Sequence, residues 1–273
     1  MKDQKNGGTV IGGIIGDIVG SVYEFDNYRA KDFDLFGDYK GKHCFATDDS
    51  IMTLSVCKAL LEAGPGYDEL RGTAVRCMRE VGRPYPHCGY GGRFYDWMYS
   101  DVPQPPYHSF GNGAAMRVSP VAYAADSLEQ AEALAEIVTG VTHDHPEGLK
   151  GGRVTAGLVW LAMHGRDKMD LCAYAERNYD LGFTIEEIRP SYRFNETCQE
   201  TVPQAIVAFL ESSDFEDAIR MAISVGGDSD TLACITGSIA GAYYGVPEEF
   251  RKKACSFLDD RLLHIYQEFS QAY

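Results

Sequence analysis

Positive charge is scarce in this chain: 25 Lys and Arg stand against 40 Asp and Glu, a net charge of −15 over 273 residues. Such a surface repels phosphate backbones, which excludes nucleic-acid binding through a broad basic face. Long apolar runs are missing too. None exceeds Ala205 to Leu210, far short of the roughly 20 residues a helix needs to cross a bilayer. The apolar stretch from Thr9 to Val22 follows Lys2 as a secretory leader would, but Asp17 interrupts it and no clean small-residue cleavage site follows. Cys44, Cys57, Cys77, Cys88, Cys172, Cys198, Cys234 and Cys255 form no Cys-x-x-Cys pair. Zinc-ribbon spacing and a dense disulfide scaffold are thereby excluded, and the thiols read as free, in a reducing cytoplasm. Strand-like alternation is also scarce.

Helical spacing is what remains, over Ser50 to Ala63, Ser127 to Thr139, Val154 to His164, Val202 to Glu211, Asp214 to Ser224, Asp230 to Tyr244 and Glu248 to Phe269. Ser213, Asp214 and Asp217 form an N-terminal cap signal, while Gly64-Pro65-Gly66 and Gly245-Val246-Pro247 are stops. These signals predict an all-α fold over residues 1–273, without a composition shift to mark a second domain. The stretch from Gly82 to Gly113, rich in Pro, Gly, Tyr and His, is expected to be a long irregular and functional segment.

Five polar clusters break the apolar pattern. Gly12, Gly16 and Gly20 recur every four residues, a stripe that lets another backbone approach. On the same run Asp17, Ser21 and Glu24 share one helical face, which a solvated surface would also explain. Thr47-Asp48-Asp49-Ser50 opens one helix and Gly226-Gly227-Asp228-Ser229-Asp230-Thr231 opens another. Helix capping accounts for either cluster alone. Paired carboxylates without Cys or His also suit a hard divalent cation such as Mg²⁺ or Mn²⁺, and the spacing is not that of a calcium-binding EF-hand. Ser109-Phe110-Gly111-Asn112-Gly113-Ala114-Ala115-Met116-Arg117 offers backbone N–H groups to a pyrophosphate, or simply makes a tight turn. The fifth cluster, Thr142-His143-Asp144-His145, concentrates histidines beside an acid and leaves open an HD-type metal pair or a hydrogen-bonded histidine.

Taken in order, GDIVGSVYE at Gly16 to Glu24, TDDS at Thr47 to Ser50, SFGNGAAMR at Ser109 to Arg117, TH at Thr142 to His143 and GGDSDT at Gly226 to Thr231 resemble the ADP-ribosylglycohydrolase family. That family includes the dinitrogenase-reductase-activating glycohydrolases and the J1-crystallin-like proteins. The resemblance implies a single orthogonal multi-helix bundle with a central dinuclear metal cleft. It implies two Mg²⁺, or Mn²⁺, held by Thr47, Asp48, Asp49, Asp228, Asp230 and Thr231, with Asp228 or Asp230 bridging. Catalysis falls to Glu24 and Asp49. Ser109, Phe110, Gly111, Asn112 and Gly113 would hold the diphosphate, and His143, Gly227 and Ser229 would border the ADP-ribose. The implied activity is hydrolysis at the anomeric carbon of an ADP-ribosyl group on a protein or small-molecule conjugate, by a monomeric cytoplasmic enzyme.

Three other readings follow from the same residues. An isoprenoid-synthase-like enzyme would show a third acid where Met52 stands. An all-α HD phosphohydrolase would need histidines converging on metal. An inactive ADP-ribose-binding or crystallin-like protein would have no need of six ligand positions and Glu24.

Overall fold

The computed structural model describes residues 10–64 and 66–273, so Lys2, Thr9 and Pro65 lie outside the described residues. The chain begins with α1 (Ile11–Gly20), α2 (Asp48–Ala63), α3 (Leu70–Gly82), α4 (Gly92–Tyr99), α5 (Gly113–Met116), α6 (Ser119–Ala124) and α7 (Leu128–Thr139). It continues with α8 (Pro146–Met163), α9 (Lys168–Ala175), α10 (Ile185–Ile188), α11 (Cys198–Glu211) and α12 (Phe215–Val225). The last three are α13 (Ser229–Tyr244), α14 (Glu248–Cys255) and α15 (Asp260–Ala272). Among the described residues the only β pairing is two isolated bridges, Tyr39 with Lys42 and Gly111 with Thr197. The all-α expectation is met.

The bundle is organised around α13, which is buried from Ser229 to Gly241, and around α1, which is buried along its whole length. Glycine permits their contact. A Cβ on Gly12 would stand 2.3 Å from the Gly237 carbonyl oxygen, and one on Gly20 would stand 2.5 Å from the Asp230 Cα. Around this seam Ile11, Ile14, Ile15 and Ile18 are buried, each removal from water contributing about 1.5–3 kcal/mol of transfer free energy.

Two expectations are corrected. The segment from Gly82 to Gly113 is not irregular throughout, since α4 forms inside it and buries Phe94, Trp97 and Met98. The apolar spacing from Glu248 to Phe269 belongs to two helices. Asp259 takes an extended backbone and accepts the Leu262 N–H, starting α15 afresh, while Ala254, Leu258 and Leu262 keep the apolar face continuous across the break. Helix α1 also ends at Gly20, and hydrogen-bonded turns carry the chain on to Glu24.

Candidate active site

The starts of α2, α4, α5 and α13 and the turn that follows α1 meet at a cavity of about 270 Å³. The chain leaves α1 through a turn in which Phe25 and Asn27 have positive φ, and Glu24 projects into the cavity from that turn. Thr47 caps α2 in an extended conformation, its hydroxyl accepting the Asp49 N–H at 3.3 Å. Asp228 precedes α13 without making any side-chain capping bond. Capping therefore accounts for Thr47 and leaves the aspartates to be explained.

One cavity wall is acidic, formed by Glu24, Asp48, Asp49, Asp228, Asp230 and Thr231. Carboxylate oxygens of Glu24, Asp228 and Asp230 all lie within 4.8 Å of one another. Thr231 ties the helix starts together, its backbone N–H donating to Asp230 Oδ1 at 3.0 Å and its hydroxyl to Asp49 Oδ1 at 3.3 Å. Asn112 Nδ2 donates to Asp228 Oδ2 at 2.7 Å. Beside it, and joined to it through Asn112, the cavity is lined by Ser109, Gly111, Asn112, Gly113 and His143. The glycine-rich loop is pinned at Gly111 by the bridge to Thr197, and the Asn112 N–H donates to the Glu196 carbonyl at 2.7 Å.

Other residues singled out by sequence lie behind these walls. Thr47 is buried and gives its hydroxyl proton to Asp17. Ser229 is buried, donating to the Gly20 carbonyl. Gly227, with φ +70°, sits against the Tyr192 ring, and Phe110 is largely exposed with its ring on His145. The pair His143–Asp144 does not converge on a common point: Asp144 accepts the His108 backbone N–H, while His143 Nδ1 meets Thr142. Glu24, Asp228 and Asp230 form the one His/Cys/Asp/Glu cluster of metal-binding geometry among the described residues.

Several residues were not selected from sequence. Asp17 was read as part of a possible solvated face, yet it is fully buried and accepts both the backbone N–H and the hydroxyl of Thr47 and of Ser50. It fixes the start of α2. Arg93, Phe94 and Tyr107, from the Gly82 to Gly113 segment expected to be functional, also line the cavity, as do Phe194 and Glu196; no motif singled out these residues individually. Arg117 closes the glycine-rich run and was the one cavity cation within reach of sequence reasoning.

The electrostatics are those of charge without compensation. Burial, reinforced by Asp228, Asp48 and Asp17, pushes Glu24 up to about 8, and burial with Asp17 and Asp228 does the same to Asp48. Asp49, Asp228 and Asp230 are also driven well above the usual carboxylate range, first by burial. No lysine or arginine forms an ion pair with any of the five among the described residues. Asp49 Oδ2 is buried with no hydrogen-bond partner. An all-oxygen donor set with an orphaned carboxylate oxygen fits a hard divalent cation, which would satisfy that oxygen and offset the repulsion.

Residues 3–272 match the model of the ADP-ribosylglycohydrolase family. The chain is 26% identical to the ADP-ribosylhydrolase ARH3 of Mus musculus, over 96% of this chain and 92% of the relative. It is 27% identical to the ADP-ribosylarginine hydrolase Tri1 of Pseudomonas putida (strain GB-1), over 91% of this chain and 74% of the relative. Among solved structures, an ADP-ribosylglycohydrolase-related protein complex shares the fold with a TM-score of 0.68 and 23% identity, covering 95% of this chain and 96% of that one. With a family model spanning nearly its whole length, the chain belongs to the ADP-ribosylglycohydrolase family.

Proposed function

We propose that the protein is a metal-dependent hydrolase, with residues 1–273 as one domain, that cleaves the bond at the anomeric carbon of an ADP-ribosyl group and releases ADP-ribose. One observation carries the reading: five carboxylates without ion pairs share a single cavity with a loop whose glycines admit close approach. The names of the ARH3 and Tri1 relatives support the same substrate class.

Thr47, Asp48, Asp49, Asp228, Asp230 and Thr231 would hold two Mg²⁺ or Mn²⁺ ions, which supply the positive charge needed to bring a phosphate-bearing sugar into an acidic cleft. Ser109 to Gly113 seat the diphosphate over the open face of Gly111 and Gly113, the N–H groups of Ser109, Gly111 and Asn112 being already donated within the protein. Glu24 carries the proton: its carboxyl gives one to the atom leaving the anomeric carbon and takes one from the attacking water. The water oxygen ends on the sugar and the acceptor leaves protonated.

The test is a panel of defined ADP-ribosylated substrates, linked through arginine nitrogen, serine oxygen or an acetyl ester, assayed for ADP-ribose release with Mg²⁺, with Mn²⁺ and after chelation. Release from at least one linkage that stops on chelation is expected. Binding of ADP-ribose with no release from any substrate would make this an ADP-ribose-binding protein instead.

A further inference from the structure

Arg117 is an arginine at 0% exposure that forms no ion pair among the described residues, its guanidinium lying 5.6 Å from the Phe94 ring centroid. Burying an unpaired guanidinium is costly, and its Nε has no hydrogen bond. Nη2 donates to Thr142 Oγ1 at 2.7 Å, and Thr142 is itself fully buried. The Thr142 hydroxyl lies 2.7 Å from His143 Nδ1, and Arg117 Nη2 lies 3.4 Å from the same nitrogen.

These contacts have a definite polarity. Guanidinium only donates, so the Thr142 oxygen accepts from Arg117; a hydroxyl oxygen can accept twice, so this contact by itself leaves the imidazole tautomer open. Arg117 Nη2 decides it: a proton on Nδ1 would face that obligatory donor 3.4 Å away, so Nδ1 offers its lone pair, the Thr142 hydroxyl turns its proton toward it, and the ring proton sits on Nε2. That nitrogen faces the glycine-rich loop: a Cβ on Gly113 would stand 3.2 Å from it, and one on Gly111 3.5 Å. His143 lines the cavity.

We infer that Arg117, acting through the Thr142 hydroxyl, fixes His143 as a neutral imidazole protonated on Nε2, which presents one N–H donor to an oxygen of the substrate lying over Gly111 and Gly113. Arg117 and Thr142 are positioning residues, and His143 is the group that touches the ligand. The tautomer stands on the contacts alone, whereas naming the oxygen as part of an ADP-ribosyl group rests on the proposed function. Burial, with Arg117 and Arg93 adding to it, holds His143 well below the ordinary imidazole range, so it stays uncharged. The subsite therefore accepts a phosphoryl, hydroxyl or carbonyl oxygen and rejects a donor group at that point.

Nitrogen-15 NMR of histidine-labelled full-length protein tests the tautomer without any ligand. The expected spectrum shows His143 with its proton on Nε2 and no titration around its ordinary pKa of about 6.5. In Thr142→Val the tautomer preference should be lost and calorimetric affinity for ADP-ribose, measured with Mg²⁺ present, should fall about 10-fold. Thr142→Ser should restore both. A proton on Nδ1, or a His143 that titrates normally, overturns the relay whatever the protein hydrolyses, and does so in the wild type even if Thr142→Val fails to fold. Undiminished affinity in a folded Thr142→Val protein overturns the link to the ligand. Wild-type protein that shows the Nε2 proton yet does not bind ADP-ribose overturns the ligand assignment, and the failure then belongs to the proposed function.

Discussion

Gly16 of α1 lies so close to Ala233 of α13 that a Cβ on Gly16 would stand 1.9 Å from the Ala233 carbonyl oxygen. The obstacle is backbone and cannot rotate away. This contact sets the distance between Asp17, next to Gly16, and the acids at the start of α13. We expect Gly16→Ala to cost about 3 kcal/mol or more in urea unfolding, overriding the gain in helix propensity. Gly72 in α3 has nothing near its absent Cβ, so Gly72→Ala should instead stabilise by about 0.5–1 kcal/mol. Equal stability of Gly16→Ala and wild type would refute the contact.

Asp49 offers a contrast between stability and function. Its Oδ2 is buried without a partner, and neighbouring Asp230, Asp17, Asp48 and Asp228 disfavour its charge after burial itself. Asp49→Asn removes that charge at nearly constant volume. In chelator-treated protein we expect a higher melting temperature than wild type, together with loss of most of the rise in melting temperature that Mg²⁺ gives wild type. A lower melting temperature in metal-free Asp49→Asn, with the Mg²⁺ response intact, would mean that Asp49 is a structural acid.

The fold was legible where one helix face is apolar and the ends carry caps. Asp214, for example, accepts the Asp217 N–H as its sequence position suggested. Helix α3 was not legible because Arg71, Arg76, Arg79 and Glu80 mask the buried series Leu70, Ala74, Cys77, Met78 and Val81. The acidic wall could be read because Asp48 and Asp49 are adjacent and Asp228 and Asp230 are separated by Ser229 alone, each pair at the start of an apolar helix. The roles of Asp17, Arg93, Phe194 and Glu196 could not, because each depends on a partner far along the chain: Asp17 on the start of α2, the others on a cavity assembled from separate loops. Arg117 was quoted within a motif, yet its part becomes visible only through its contacts with Thr142 and His143.

The raised carboxylates also set a pH dependence. Glu24 and Asp48 titrate at about 8 and Asp17 at about 6 in the folded protein, against ordinary values near 4. Between those limits the folded state holds protons that the unfolded chain has released, so stability falls as pH rises. Asp26 and Glu248, held low by hydrogen bonds from Lys42 and Arg251, act oppositely only below their ordinary pKa, and His143, held low by burial, acts oppositely up to its ordinary value of about 6.5, one group against several raised carboxyls. Metal-free protein should therefore lose melting temperature from about pH 5 to pH 8, and Mg²⁺ should flatten the slope by replacing the protons. A metal-free protein most stable at the alkaline end would contradict the uncompensated acidic wall.

Gly113 tests where the diphosphate sits. A Cβ there would meet His143 Nε2 at 3.2 Å, and the further methyls of valine would occupy the space over the loop. We expect Gly113→Val to weaken ADP-ribose binding by at least about 10-fold by calorimetry, with helical content by circular dichroism unchanged. Unaltered affinity would place the diphosphate elsewhere in the cavity.

Glu24 separates proton transfer from binding. It stands on a turn after α1, with a carboxylate oxygen within 4.8 Å of oxygens of Asp228 and Asp230, and burial, reinforced by Asp228, Asp48 and Asp17, favours its protonated form. Glu24→Gln keeps the size and an amide that still hydrogen-bonds, but it can neither give nor take the proton. With Glu24 largely protonated near neutral pH, the change to a neutral amide leaves the charge of the wall nearly as it was, so affinity for a phosphate-bearing ligand has no electrostatic reason to fall. We expect single-turnover hydrolysis to slow by about 10²-fold or more, with ADP-ribose affinity within about 3-fold of wild type. A parallel loss of affinity and rate would instead make Glu24 a binding residue. Near-normal single-turnover hydrolysis would move the proton transfer to one of the aspartates at the starts of α2 and α13, of which Asp49, with its unpartnered oxygen, is the first to examine.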